Sequence, residues 1–194
     1  MRGGPRGGPT FPPGAGGPPD WLREALFARR IIVITGRLDD DAASHAAAQI
    51  MLLDAASAAP IEIHLDGPDG TLEAAFVLID TFEAARAPIR VHCRGRVGGP
   101  AVGVVAVGGH RSASPHARFR LGEPTVTFSG TPEETLASTR RYRDLLWQLQ
   151  ARIARATGRP AEEIADDMRR GRWLDAEDAL VYGLIDAVAP PRAR

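Results

Sequence analysis

Cys93-Arg94-Gly95-Arg96-Val97-Gly98-Gly99-Pro100-Ala101-Val102-Gly103 is the stretch that decides the fold. A β-rich run, Ile89-Arg90-Val91-His92, enters it, and an apolar run of small residues from Ala101 to Val107 leaves it. Paired glycines allow a tight, left-handed backbone at such a joint. Proline suits the first helical position, where its missing N–H costs nothing. The residue before the proline is then presented beside a helix N-terminus, the position at which hydrolases display a nucleophilic serine. Here it is Gly99, which has no side chain to attack with. From these residues alone the segment reads as a strand–turn–helix joint without chemistry.

Working outward, strand and helix patterns alternate. Ile31-Ile32-Val33-Ile34 reads as a strand buried on both faces. Asp39-Asp40-Asp41 precedes a helix over 42–56 and suits its N-terminal dipole better than a metal, since no second ligand cluster accompanies it. A strand at 61–65 leads into the turn Asp66-Gly67-Pro68-Asp69-Gly70, a helix over 71–85 and a strand over 89–93. Such alternation predicts a parallel sheet wound by right-handed crossovers. β-prone pieces at 112–114 and 117–121 follow. Thr131 and Glu134 then open a helix of about 25 residues, more than a domain of this size needs to cover its sheet. That helix is expected to project and to pack on another copy through Leu145, Leu146, Leu149 and Ile153. Short helices over 161–168 and 176–182, a β-like link at Trp173-Leu174 and a last strand over 184–188 complete the chain.

The 194 residues allow one domain, over 21–189, with a single core. Glycine and proline make up 13 of the first 20 residues, so 1–20 reads as a disordered tail; 190–194 reads as a loose end. The 24 basic residues, all arginine, balance 24 acidic ones, which gives no ground for nucleic acid or an anionic membrane as partner. A single cysteine, Cys93, fits a reducing compartment, and no apolar run reaches membrane-spanning length, so a cytoplasmic protein is expected.

Taken together, several pieces resemble the proteolytic subunit of the ATP-dependent Clp protease, a serine peptidase with the crotonase-like ββα-spiral α/β fold and a long handle helix. They are Arg30-Ile31-Ile32-Val33-Ile34-Thr35-Gly36, Pro68-x-Gly70 with Asp80-Thr81, Cys93-x-Gly95, the helix ending at Thr157-Gly158, and Trp173-Leu174-Asp175-Ala176 with Tyr182-Gly183-Leu184-Ile185-Asp186. The likeness runs over about 30–188.

The resemblance implies where the mechanism should sit. The family's nucleophile turn, Gly-x-Ala-x-Ser-Met, maps onto Gly95 to Pro100 and puts Gly99 at the serine. Its histidine, just ahead of Gln-Pro, falls on Gly122, before Glu123-Pro124. Its aspartate falls on Gly171, before Arg172-Trp173. Glycine supplies neither nucleophile, base nor orienting carboxylate. The implied oxyanion hole uses the N–H of Gly70 and that of the residue after the nucleophile, which here is Pro100 and has none.

The resulting expectation is a catalytically silent ring subunit, alone or mixed with active paralogues, served by an AAA+ ATPase and needing no metal or cofactor. Two alternatives stay open: an active peptidase with a relocated site, and a crotonase-like acyl-CoA enzyme. For relocation, His92 and Cys93 should point to opposite faces of their strand. His110, Ser112, Ser114 and His116 read as loop polarity, and His45 and His64 as structural groups.

Overall fold

The computed structural model describes residues 20–190. The tail expected over 1–20 therefore lies outside the described residues apart from Asp20, as does the end over 190–194 apart from Pro190. Five strands, β1 (Ile31–Thr35), β2 (Ile61–Asp66), β3 (Ile89–Cys93), β5 (His110–Ala113) and β8 (Ala187–Val188), form an all-parallel sheet in that order. A second sheet joins β4 (Arg96–Gly98), β6 (Arg118–Arg120) and β7 (Trp173–Leu174), with β4 parallel and β7 antiparallel to β6. Helices α1 (Asp20–Phe27), α2 (Asp40–Ala56), α3 (Leu72–Ala84), α4 (Ala101–Ala106), α5 (Pro132–Thr157), α6 (Ala161–Arg170) and α7 (Ala176–Tyr182) connect them. This is an α/β fold in which helices connect the strands of a parallel sheet.

Alternation along the strands sets the core. Ile32, Ile34, Ile61, Ile63, Leu65, Ile89, Val91, Cys93 and Ala113 point to one face of the large sheet and are buried. The reading of β1 as covered on both faces is corrected here, because its burial alternates and Ile31 and Val33 are only half-buried. The reason lies in its neighbours. The strand register places Val33, His64, His92 and Ser112 in one row across the open face, which is polar.

Two more departures share one cause. Residues 96–98, read as part of a turn, form β4, and the last strand shrinks to Ala187–Val188. Both are set by pairing with distant segments, which a local pattern does not encode.

Helix α5 spans 26 residues and is opened by a reciprocal capping box between Thr131 and Glu134. Most of its first half is exposed, apart from contacts such as that of the Tyr142 hydroxyl, which donates to Pro124 O at 2.7 Å. Of the four residues expected to pack on another copy, all in its second half, three are taken up by the core of their own subunit. Leu149 and Ile153 are fully buried and Leu146 nearly so within their own subunit, while Leu145 is half-buried. Gly103 makes this approach possible, since a Cβ there would lie 2.2 Å from Leu149 Cδ1. The apolar side chains that α5 leaves exposed are Leu136 and Trp147.

Candidate functional site

β3 delivers the chain to Gly95, whose positive φ of 55° turns it into β4. A Cβ at Gly95 would strike the Asp66 carboxylate at 2.7 Å, and Asp66 Oδ1 accepts the Arg96 N–H at 3.0 Å. β4 then docks on the turn after β2: Gly98 N–H donates to Gly67 O at 2.9 Å, and a Cβ at Gly98 would lie 2.5 Å from Pro68 O. The loop bearing Gly70 and the loop bearing Gly99 are thereby held against each other.

Gly99 sits at φ 54°, the left-handed geometry of a strand-to-helix elbow. Its N–H donates to Arg120 O at 3.1 Å. Pro100 begins the descent into α4 and offers no N–H. Gly70 is pinned on Leu38, with Leu38 O only 2.6 Å from where a Cβ would be. Among the described residues its N–H meets no backbone acceptor, and Gly70 lines the groove that adjoins the elbow.

The three glycines assigned to the missing side chains come together. A Cβ on Gly99 would lie 3.8 Å from Gly122 O. A Cβ on Gly122 would lie 3.4 Å from Arg120 Nε, and one on Gly171 would lie 3.4 Å from an Arg120 Nη. The exposed Arg120 side chain thus lies in ordinary contact distance of Cβ positions at both 122 and 171. At the other end, Asp69 Oδ1 stands 3.3 Å from the Gly99 Cβ position, with Arg37 at 3.5 Å from the same carboxylate. Gly171 closes α6 as a left-handed cap, φ 67°, its N–H on the last carbonyls of the helix. Below it, buried Asp167 accepts from the Tyr182 hydroxyl at 2.8 Å and from Arg172 Nη1 at 2.9 Å. Burial and that carboxylate push the Tyr182 phenol well above its ordinary value.

Sequence reasoning missed Arg120 and Asp69. Arg120 was open to detection, because alternation about buried Phe119 and Leu121 sends it outward beside Gly122.

The remaining candidates are separated from this cleft by their strand. Cys93 is buried on the core face, which pushes its thiol up to about 12 and leaves it unreactive at neutral pH. His92 points the other way. Its Nδ1 lies 3.0 Å from Ser112 Oγ and its Nε2 3.1 Å from Ser114 Oγ, so these serines are partners of the imidazole and not plain loop polarity. Desolvation first, then the neighbouring His64, lowers the His92 pKa. His64 Nε2 meets Glu62 Oε1 at 2.5 Å. Among the described residues no carboxylate touches the His92 ring, so it lacks the orienting acid of a triad.

The family profile described as Clp protease matches residues 20–192. The chain belongs to the Clp protease family. It is 30% identical over 178 residues to the ATP-dependent Clp protease proteolytic subunit 2 of Rhodococcus jostii (strain RHA1), covering 90% of this chain and 91% of that protein. It is 32% identical over 177 residues to the ATP-dependent Clp protease proteolytic subunit-related protein 2, chloroplastic, of Arabidopsis thaliana. That match covers 88% of this chain and 62% of the plant protein. Proteolytic subunit 1 of Corynebacterium jeikeium (strain K411) is 30% identical over 172 residues, 87% of this chain and 92% of that protein. Clp protease family membership sets the crotonase alternative aside.

Proposed function

We propose that this Clp protease family member is a catalytically silent subunit. It assembles into a ring alone or with active paralogues, in the cytoplasm, and meets an AAA+ ATPase as part of that ring. Gly99, Gly122 and Gly171 correspond in this reading to serine, histidine and aspartate, and Gly70 and Pro100 to the oxyanion donors. The observation that carries it is the elbow itself: the residue at its tip has no side chain, the next has no N–H, and glycine again stands at the two neighbouring positions 122 and 171. Among the described residues no serine stands on a strand-to-helix elbow, and His92 with Ser112 and Ser114 lies on the large sheet's open face.

Assembly falls to Leu136 and Trp147, the exposed apolar residues of α5, and not to the buried set of Leu146, Leu149 and Ile153. Among the described residues no helix is long and apolar enough to cross a membrane. Turnover of short fluorogenic peptides by the purified oligomer tests the reading: no hydrolysis above background is expected, and sustained turnover that co-migrates with the protein overturns it.

A further inference from the structure

β1 is an edge of the large sheet, because it pairs with β2 alone. Glu62 N–H donates to Arg30 O and Gly36 N–H donates to Asp66 O, so the even-numbered residues of this strand turn their peptide groups toward β2. Alternation turns those of Ile31, Val33 and Thr35 the other way. Among the described residues the N–H and C=O groups of these three meet no backbone partner. Edge strands left open are ordinarily blunted by a lysine, a proline, an inward charge or a bulge. Ile31-Ile32-Val33-Ile34-Thr35 has none of these, and an uncharged, β-branched edge is a template for pairing with another chain.

The edge is also recessed. A groove of about 190 Å³ runs along residues 31–35, between Arg23 and Leu26 of α1 and Ala42, His45, Ala46 and Gln49 of α2. The flanking helices keep a second copy's edge, flanked in the same way, from reaching β1, whereas a single extended chain enters. Ala42 and Ala46, one helical turn apart, leave room for an apolar side chain on the α2 side. The α1 side presents the Arg23 guanidinium, and the lining holds no carboxylate; Glu24 and Asp41, on the same helices, do not border the groove. Residues 1–19 contain six prolines and no acidic residue, so neither main-chain donors nor charge suit them to this edge. β2 stands between β1 and β3, the strand that leads to the elbow.

We propose that the β1 edge is a docking site for an extended acidic segment of a partner polypeptide, which adds to the large sheet as a further strand. Main-chain hydrogen bonds to 31, 33 and 35 supply the affinity, and Arg23 opposite the Ala42–Ala46 wall supplies the choice of sequence. The proposal holds whether or not the elbow is silent.

The test uses fluorescence anisotropy on the intact oligomer with fluorescein-labelled heptapeptides of alternating valine and glutamate. A valine–arginine peptide is the charge control. Two further valine–glutamate peptides carry N-methyl groups, one on its valine amides and the other on its glutamate amides. In a strand these two sets of N–H groups point to opposite sides, so only one of them can meet β1. On the wild type the acidic peptide should bind about tenfold tighter than the basic one. One methylated form should match its parent, and the other should bind about tenfold more weakly. Arg23→Glu should remove the preference for acid. Val33→Pro deletes an outward N–H that the sheet does not use, and should weaken binding of the parent peptide about tenfold. Equal affinity for acidic and basic peptides, equal affinity for the two methylated forms, an undiminished charge preference in Arg23→Glu or undiminished binding to Val33→Pro overturns the proposal. So does an absence of binding on the wild type, the result expected if residues 1–19 or a second copy fill the groove. If Val33→Pro does not assemble, the methylated pair on the wild type decides in its place.

Discussion

Arg120, Asp69 and Pro100 determine what repair of the cleft would require. Replacing Gly99→Ser, Gly122→His and Gly171→Asp together places serine at φ 54° and aspartate at φ 67°, conformations that cost roughly 1–2 kcal/mol each for a residue with a Cβ. Cβ atoms at 122 and 171 would also touch the Arg120 side chain, and one at 99 would crowd Asp69 Oδ1 at 3.3 Å. The triple variant is therefore expected to hydrolyse peptides weakly at best. Adding Pro100→Met supplies the absent N–H and should raise turnover by about 10²-fold, the effect of one oxyanion donor. Peptidase rates of the two variants at matched oligomeric state decide this, and equal rates would show that Pro100 is not limiting.

A second residue-scale expectation concerns acid. Asp186 accepts from the Arg111 N–H at 2.7 Å and from its guanidinium, and that side-chain hydrogen bond is the main cause holding its carboxyl below 3.8. A carboxyl lowered by folding stabilises the protein above its unfolded pKa, near pH 4, and the contribution is lost as pH falls through the folded value. The melting-temperature gap between wild type and Asp186→Asn should be largest near pH 7 and shrink by pH 3. A gap independent of pH would contradict the pairing.

Helix α5 behaves as two elements. Its second half is core: Leu149 lies on Gly103, and Ile153 is wholly covered. Leu149→Ala should lower stability by about 2–5 kcal/mol, and Ile153→Glu should prevent folding rather than release folded monomers. Its first half carries exposed Leu136, and Trp147 lies on the outer side of the second. Leu136→Glu with Trp147→Glu should keep the melting temperature within a few degrees and shift the oligomer to smaller species in light scattering. An unchanged oligomer would move the contact elsewhere. The length of this helix was legible from Thr131, Glu134 and Gly158, because caps are local chemistry. Which side of it was buried was not legible. Leucine at 145, 146 and 149 is equally apolar whether its partner is Gly103 of the same chain or a second copy, and only the tertiary approach distinguishes them.

Across the whole molecule, the strand–helix alternation and the family blocks carried the architecture, because β-branched runs punctuated by Gly36, Gly70 and Gly95 specify crossovers locally. The small sheet of β4, β6 and β7 was hidden, since three- and two-residue strands exist only through pairing with segments far along the chain, Val97 with Phe119 and Phe119 with Leu174. The same pairing brings Gly99, Gly122 and Gly171 to one place around Arg120, and it explains why the glycines were legible while the arginine between them was not. The central claim is that this assembled cleft contains no nucleophile. The direct measurement is stoichiometry of labelling by a fluorophosphonate on the purified oligomer, with the modified residue mapped by mass spectrometry. The account predicts no serine labelled above the level of the heat-denatured protein. Stoichiometric modification of one serine, abolished by mutating that serine, would contradict it.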